Sequence, residues 1–252
     1  MHILLSNDDG YQAPGLKALF ESTKDHGDIT IVAPNENRSG ASCSLTLNKV
    51  LTVKASGERC FTVDGTPVDC VHIGLNGLLD SEPDMVISGI NSGSNLGDDV
   101  LYSGTVGAAL EGRRLAYPSV AVSLVGGEPK HYSTAGQVIS QIISELKINT
   151  MPKRTILNVN VPDRPLEDLN GYKITRLGYR TRSQPVVKID ARDNYRQYRI
   201  GTIGSAADNG PETDFSAVND GYVSITPLLI DNTDHSQLPY LADWALNLKF
   251  KR

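Results

Sequence analysis

The stretch "HILLSNDDG", residues 2–10, sets the reading of the whole chain. "HILLS" continues apolar through both parities of a period-two element, which describes a strand buried on both faces. Asp8 and Asp9 then stand side by side where that strand must end. Neighbours within a strand point to opposite faces, so two adjacent carboxylates converge only once the strand has stopped, and Gly10 marks that stop. The dinucleotide-binding fingerprint GxGxxG belongs at this place in an α/β fold, and "SNDDGYQAPG" has carboxylates instead. The pattern points to a cation at the strand end.

Outward from this stretch the first half alternates between two periods. "PGLKALFESTKDHG" reads as a helix with Pro14 early and Gly27 past its end, and "DITIVAP" as a second strand. "SLTLNKVLTVKA" and "RCFTVDG" alternate like β structure. "TPVDCVHIGLNGLLD" opens with Thr66 as N-cap, Pro67 at the first helical position and Asp69 in the capping-box place. Val68, Val71, Leu75, Leu78 and Leu79 give it one apolar face. "DMVISGI" and "SVAVSL" are strands flanking the helix "SGTVGAALEGRRLAY". "YSTAGQVISQIISELKI" is a further amphipathic helix before the strand "TILNVNV". Apolar strands separated by helices predict an α/β fold, a Rossmann-like, mostly parallel sheet with helices on both faces.

From residue 172 the character changes to Tyr- and Arg-rich β runs, the late strand "GYVSITPL" and a terminal helix, "SQLPYLADWALNLKF", holding the single Trp244. The expected organisation is a catalytic core over 1–171 and a hairpin and helix extension over 172–252. The extension reads equally as an oligomerisation element or as surface decoration.

The chain has 252 residues, 39% hydrophobic and 21% charged, with a net charge of −5. That length buries a good core. The acidic balance and the lack of a basic tract give no reason to expect a nucleic-acid polymer as partner. No apolar run approaches the ~18 residues of a membrane span, and "MHILLSNDDG" lacks the features of a signal peptide. Cys43, Cys60 and Cys70 are odd in number without CxxC spacing, so reduced thiols in a cytoplasmic protein are expected.

In a doubly wound sheet, ligands bind beyond the carboxyl ends of the strands. The loops there are "NDDG", "NENRSGAS" and "NSGSNLGDDVLYSGT", crowded with Asn, Ser, Asp and Gly. Carboxylate, amide and hydroxyl oxygens suit a hard divalent cation, Mg²⁺ or Mn²⁺. Asp8 and Asp9 supply the charge, Asn91 an amide oxygen and Ser39 a hydroxyl. Singly, each also reads as a turn residue; jointly, they share one sheet edge. Ser103 stands at a helix N-terminus with Gly104 and Thr105 in the first turn, where free N–H groups and the helix dipole hold an anion. The hydroxyls of Ser103 and Thr105 add donors, and Asn95 is within reach of the same anion. A cation and an anion site on one edge are what metal-assisted phosphate-ester hydrolysis requires. GxSxG, HExxH and GxxxxGK[ST] are absent, which disfavours a serine esterase, a zincin and a P-loop. None of the five histidines falls in the three loops, and His72 reads as structural.

Taken in order, "LLSNDDG", "VAPNENRSGAS", "GTPVDCV", "VISGINSGSNLGDDVLYSGTVGAALEG" and "TDFSAVNDGYVSITPL" resemble the survival protein SurE family. The resemblance implies a divalent-metal-dependent phosphatase acting as 5′- and 3′-nucleotidase on nucleoside monophosphates, in some members also on short polyphosphate. It implies one cation per subunit on Asp8, Asp9, Ser39 and Asn91, and phosphate on Asn95 and the Ser103-Gly104-Thr105 turn. It further implies a swapped C-terminal portion and a homodimer or homotetramer. Cys43, Ser94 and Ser216 depart from the common pattern, as does much of 180–213. The expected reaction is in-line attack by a metal-activated water with Asp8 or Asp9 orienting or deprotonating it; a covalent aspartyl phosphate is the alternative. A nucleotide-sensing binding protein and a nucleotide-sugar transferase would use a similar set of oxygens.

Overall fold

The computed structural model describes residues 1–248 except 153 and 193. Strand β1 (His2–Ser6) is the fourth strand, inside a nine-stranded sheet. Ile3 and Leu5 face one side and Leu4 the other, all fully buried, which is why the run is apolar without interruption. The chain continues through α1 (Pro14–Thr23), β2 (Asp28–Pro34), β3 (Val53–Gly57), β4 (Cys60–Val63) and α2 (Pro67–Ile73). It then adds β5 (Met85–Ser92), α3 (Gly104–Glu111), β6 (Ser119–Val125), α4 (Tyr132–Ile148) and β7 (Ile156–Pro162). Beyond these come β8 (Tyr172–Ile174), β9 (Tyr179–Arg180), β10 (Val187–Arg192), β11 (Tyr195–Arg199) and β12 (Ala206–Asp208). The chain closes with α5 (Asp214–Asn219), β13 (Val223–Leu228) and α6 (Leu238–Ala245).

The spatial order is β3-β4-β2-β1-β5-β6-β7-β13-β8. The run from β4 to β7 is parallel; β3 and β13 are antiparallel to their inner neighbours, and β8 runs parallel to β13. The expected α/β class with a mostly parallel sheet is therefore borne out. Helices α1 and α4 pack together over one face, and α2 and α3 over the other. The chain leaves β1 toward β2 and β4, then returns to place β5 on the opposite side of β1. That reversal opens a crevice between the carboxyl ends of β1 and β5, the place where such sheets bind ligands.

Local signals hold where they were strongest. Thr66 accepts from Asp69 N at 3.1 Å while Asp69 Oδ2 accepts from Thr66 N at 2.8 Å, completing the capping box of α2. The alternating segment 44–55 behaves differently. Only Val53–Gly57 is a strand; before it, Leu47 is 79% and Val50 88% exposed. That loop is fastened by Asp69, whose carboxylate accepts from Thr46 N at 2.8 Å and Thr46 Oγ1 at 2.7 Å, in place of a ladder. The apolar period of 68–79 also shortens, since α2 ends at Ile73 and a wider turn carries Gly74–Leu78.

Residues 172–228 contribute β8 and β13 to the main sheet, whereas the β10–β11 hairpin pairs only with itself. Its Val187, Ile189, Tyr195 and Tyr198 are exposed, as are Leu238, Tyr240, Leu241 and Trp244 of α6. Among the described residues, no helix is long and apolar enough to cross a membrane.

Candidate active site

The turn after β1 is built by its own residues. Asn7 Nδ2 donates to the Gly10 carbonyl at 2.9 Å. Gly10 has φ +98°, and a β-carbon there would stand 2.9 Å from the Glu36 carbonyl carbon, so glycine is required. Arg38 N donates to the Asp8 carbonyl at 2.7 Å, which brings the loop after β2 against this turn. Asp8 and Asp9 then point into the crevice.

Asp8 is 4% exposed. Thr105 Oγ1, on the first turn of α3, donates to Asp8 Oδ1 at 2.6 Å. Gly104 permits this approach, because a β-carbon there would lie 3.0 Å from Asp8 Cβ and 3.2 Å from Asp8 Oδ2. Asp9 reaches across the crevice, its Oδ2 accepting from Ser92 N at the end of β5 at 2.9 Å. One oxygen of each carboxylate is thus fixed by the fold, which orients the other.

Burial pushes the Asp8 carboxyl up to about 6, assisted by the charge on Asp9 and opposed by the Thr105 hydroxyl. Burial likewise raises Asp9, against the Ser92 amide. Arg38 pairs through its terminal nitrogen with Glu36 at 2.8 Å, its Nε remaining buried without a partner, and Arg180 pairs with Asp99 at 2.6 Å. Among the described residues no cationic side chain forms an ion pair with either carboxylate, and such a desolvated pair fits a divalent cation, which would replace the lost solvation. Among the described residues no three His, Cys, Asp or Glu gather at one point. Further donors must therefore be amides, hydroxyls and water, which suits Mg²⁺ or Mn²⁺ better than zinc.

A pocket of about 600 Å³ opens at this edge and is lined by Asp8, Ser39, Asn91, Asn95 and Ser103 together with rim residues. Asn91 lies within β5 rather than after it; its Nδ2 donates to the Gly93 carbonyl at 2.9 Å, which leaves Oδ1 available as an acceptor. Ser39 is exposed, in a turn where its N–H donates to Asn37 Oδ1 at 2.8 Å. Ser103 caps α3 by accepting from Val106 N at 3.1 Å, and its hydroxyl proton remains to donate. Thr105 differs from the expectation of a donor to the anion. Its side chain is fully buried and spent on Asp8, and its backbone N–H also favours the Asp8 carboxylate.

Sequence reasoning missed the supports. Asn95 is 6% exposed and held by a set of amides. Its N–H donates to Asn160 Oδ1 at 2.9 Å, and its carbonyl accepts from Asn158 Nδ2 at 2.9 Å and Asn160 Nδ2 at 3.0 Å. Asn95 Nδ2 donates to Ser123 Oγ at 2.8 Å. Two asparagines two apart in "LNVNV" share one face of a buried strand, and that was the available signal. Asp214 is fully buried and accepts from Gly97 N at 2.6 Å and Gly178 N at 3.0 Å, bracing the 3₁₀ turn Gly97–Tyr102. Cys43 does not line the carboxylate pocket; it faces a separate, mainly apolar cavity of about 490 Å³ behind α3.

Comparison with known proteins identifies the family and the fold. The family described as Survival protein SurE matches residues 3–184. The chain is 52% identical over 248 residues to the 5′-nucleotidase SurE of Alkalilimnicola ehrlichii, covering 98% of this chain and 96% of that one. It is 52% identical over 244 residues to the 5′-nucleotidase SurE of Methylococcus capsulatus, covering 97% of each. The crystal structure of the SurE protein from Aquifex aeolicus superposes with a TM-score of 0.86 at 39% identity, covering 97% of this chain and 99% of that one. The carboxylate pair at the β1 turn, the amide-held loop after β5 and the capped start of α3 are thus carried on the fold of known relatives, and the chain belongs to the survival protein SurE family.

Proposed function

We propose that the chain hydrolyses the phosphate monoester of nucleoside 5′-monophosphates, using one divalent cation, Mg²⁺ or Mn²⁺, held by Asp8, Asp9, Ser39 and Asn91. The observation that carries this reading is that two desolvated carboxylates stand at one sheet edge with the capped start of α3: Asp8 and Ser103 line the same pocket, and Asp9 is pinned beside it to Ser92. The names of the curated relatives, 5′-nucleotidases, support the substrate class and the assignment as a phosphomonoesterase. The cation supplies charge neutralisation for phosphoryl oxygens and a more acidic water.

The remaining work belongs to side chains and backbone of this chain. Ser103 Oγ–H and the N–H of Gly104 bind the phosphate oxygens at the positive end of α3, beside the Thr105 turn whose own donors favour Asp8. Asn95, immobilised by Asn158 and Asn160, adds a donor that needs no reorganisation during reaction. Asp9, pinned to Ser92 by one oxygen, orients the attacking water with the other or takes its proton. The same contacts serve 3′-monophosphates and the terminal phosphate of short polyphosphate, and we extend the proposal to both.

Phosphate release from AMP and GMP with Mn²⁺, Mg²⁺ or chelator, beside Asp9→Asn, tests the reading. Metal-dependent release lost in the variant supports it. No release by the folded wild type with any metal overturns it, and nucleotide binding without turnover then makes the chain a sensor.

The assembly we propose is a homodimer or homotetramer formed through the extension that follows residue 171, supported by the exposed apolar side chains of β10–β11 and α6. Light scattering on eluted protein reads it directly, and a monomer at micromolar concentration would refute it. A cytoplasmic location goes with the three free thiols.

A further inference from the structure

The pocket has a polar floor and a mixed rim, where large apolar side chains stand beside exposed Ser39, Ser92 and Ser183. Asp8, Asn91, Asn95 and Ser103 form the floor, whereas Tyr102, Ile200 and Ile203 also line it while remaining 72%, 83% and 61% exposed. Apolar side chains exposed singly need no partner, but Tyr102, which lies outside the extension after residue 171, borders the polar pocket directly and presents its ring to whatever fills it. Tyr102 ends the 3₁₀ turn Gly97–Tyr102 and directly precedes Ser103, the cap of the phosphate-holding helix. The neighbouring Leu101 turns instead to the cavity behind α3, so the two residues serve different spaces.

The position of that turn is tightly determined. Asp214 accepts from Gly97 N, Ser103 N donates to the Val100 carbonyl at 3.4 Å, and Ser42 Oγ donates to the Leu101 carbonyl at 2.6 Å. Asp99, in the same turn, is clasped by Arg180, whose Nε lies 2.9 and 2.8 Å from its two oxygens. A side chain ordered at its backbone but exposed at its ring has been positioned without being packed. Among the described residues its hydroxyl has no hydrogen-bond partner, so what the position offers is the ring.

We propose that Tyr102 is a specificity-determining residue, the aromatic platform on which the base of the nucleotide stacks, with Ile200 and Ile203 supplying apolar contact in the same pocket. The proposal rests on the nucleotidase reading, since it needs the phosphate seated at Ser103. Ser103 and Tyr102 are adjacent and line the same pocket, so a phosphate at Ser103 brings its ester-linked group within the space that the Tyr102 ring borders. Every base presents a π-face, and an aromatic ring meets it without requiring particular donors. Binding energy from the non-reacting part of the substrate then lowers KM and holds the phosphoryl group in line.

The test compares kcat and KM for AMP and for ribose 5-phosphate, which has the phosphate and sugar but no base, in wild type, Tyr102→Ala and Tyr102→Phe with saturating Mn²⁺. The wild type should prefer AMP, mainly through KM. Tyr102→Ala should lower the AMP to ribose 5-phosphate ratio of kcat/KM roughly tenfold, and Tyr102→Phe should keep it. Tyr102→Leu, retaining bulk without a π-face, should behave like Ala and serves if Ala fails to fold. A ratio unchanged in Ala and Leu variants overturns the platform while leaving phosphatase chemistry intact. Release from neither substrate by the wild type overturns both readings.

Discussion

Asn160 holds Asn95 by both ends of its amide: its Oδ1 accepts from Asn95 N at 2.9 Å and its Nδ2 donates to the Asn95 carbonyl at 3.0 Å. A side chain of β7 therefore stands in for a neighbouring strand and fixes a loop that emerges after β5. The loop is buried, so its backbone needs partners, and the strand supplies them from within the sheet. Asn160→Ala leaves that N–H without its acceptor, and stability should fall by about 1–3 kcal/mol in thermal unfolding. Inhibition by orthovanadate should weaken together with it. In the pair Asn95→Ala and Asn160→Ala the effects on vanadate should be non-additive, because one residue acts through the other. Additive losses would separate the two residues.

Thr105 tunes Asp8. The hydroxyl at 2.6 Å favours the carboxylate, so Thr105→Val raises the Asp8 pKa further above its already raised position. Protons then compete with the cation to higher pH. Calorimetric Mn²⁺ titrations should show the variant binding more weakly, with the deficit greatest near pH 6, and Thr105→Ser should restore affinity. An affinity in Thr105→Val equal to wild type across pH 5–8 would refute this role.

Metal-free stability should fall as pH rises through the Asp8 transition. A carboxyl at about 6 in the folded state, against an ordinary 3.8, binds its proton more tightly when folded. Its ionisation therefore costs about 3 kcal/mol of stability at neutral pH. That cost is absent below the unfolded pKa and complete above the folded one. Asp8→Asn should raise the Tm of chelated protein at pH 7.5 and change little at pH 4, while abolishing activity. Mn²⁺ should raise the wild-type Tm more at pH 7.5 than at pH 5.

Asp69 has the opposite sign. Burial pushes its carboxyl up, but the hydrogen bonds from Thr46 and Thr66 outweigh it and hold it below the usual range. Its contribution is present above the unfolded pKa near 3.8 and is lost as pH falls through the folded value. Asp69→Ala removes both the capping box and the tether on Thr46, so about 1–3 kcal/mol should be lost at pH 7. Limited proteolysis should then cut within 44–52 before any other segment; unchanged cleavage would mean that the loop is held by other contacts.

How far the site could be read in advance differs by residue. Asp8 and Asp9 were legible because a strand end and a glycine are local signals, and Ser103 because an N-cap is one. Asn91 and Ser39 were placed on the right edge, but which of their atoms faces the pocket depends on bonds to Gly93 and Asn37 formed within each turn. Thr105 was assigned to the anion on helix position alone, and its side chain proved to be turned inward toward a residue 97 positions away.

The sequence by itself determined the elements: the period of α4, the capping box of α2, the apolar runs of β1, β5, β6 and β7, and the carboxylates that follow the first. These are set within a few residues by sterics, capping and alternating burial. The tertiary structure decided that β5 lies beside β1, that Asn158 and Asn160 hold the Asn95 loop, and that the 44–52 segment is a tethered loop rather than a strand. Such outcomes depend on which distant backbone groups meet at hydrogen-bond distance, and that geometry has no period along the chain for a sequence to display.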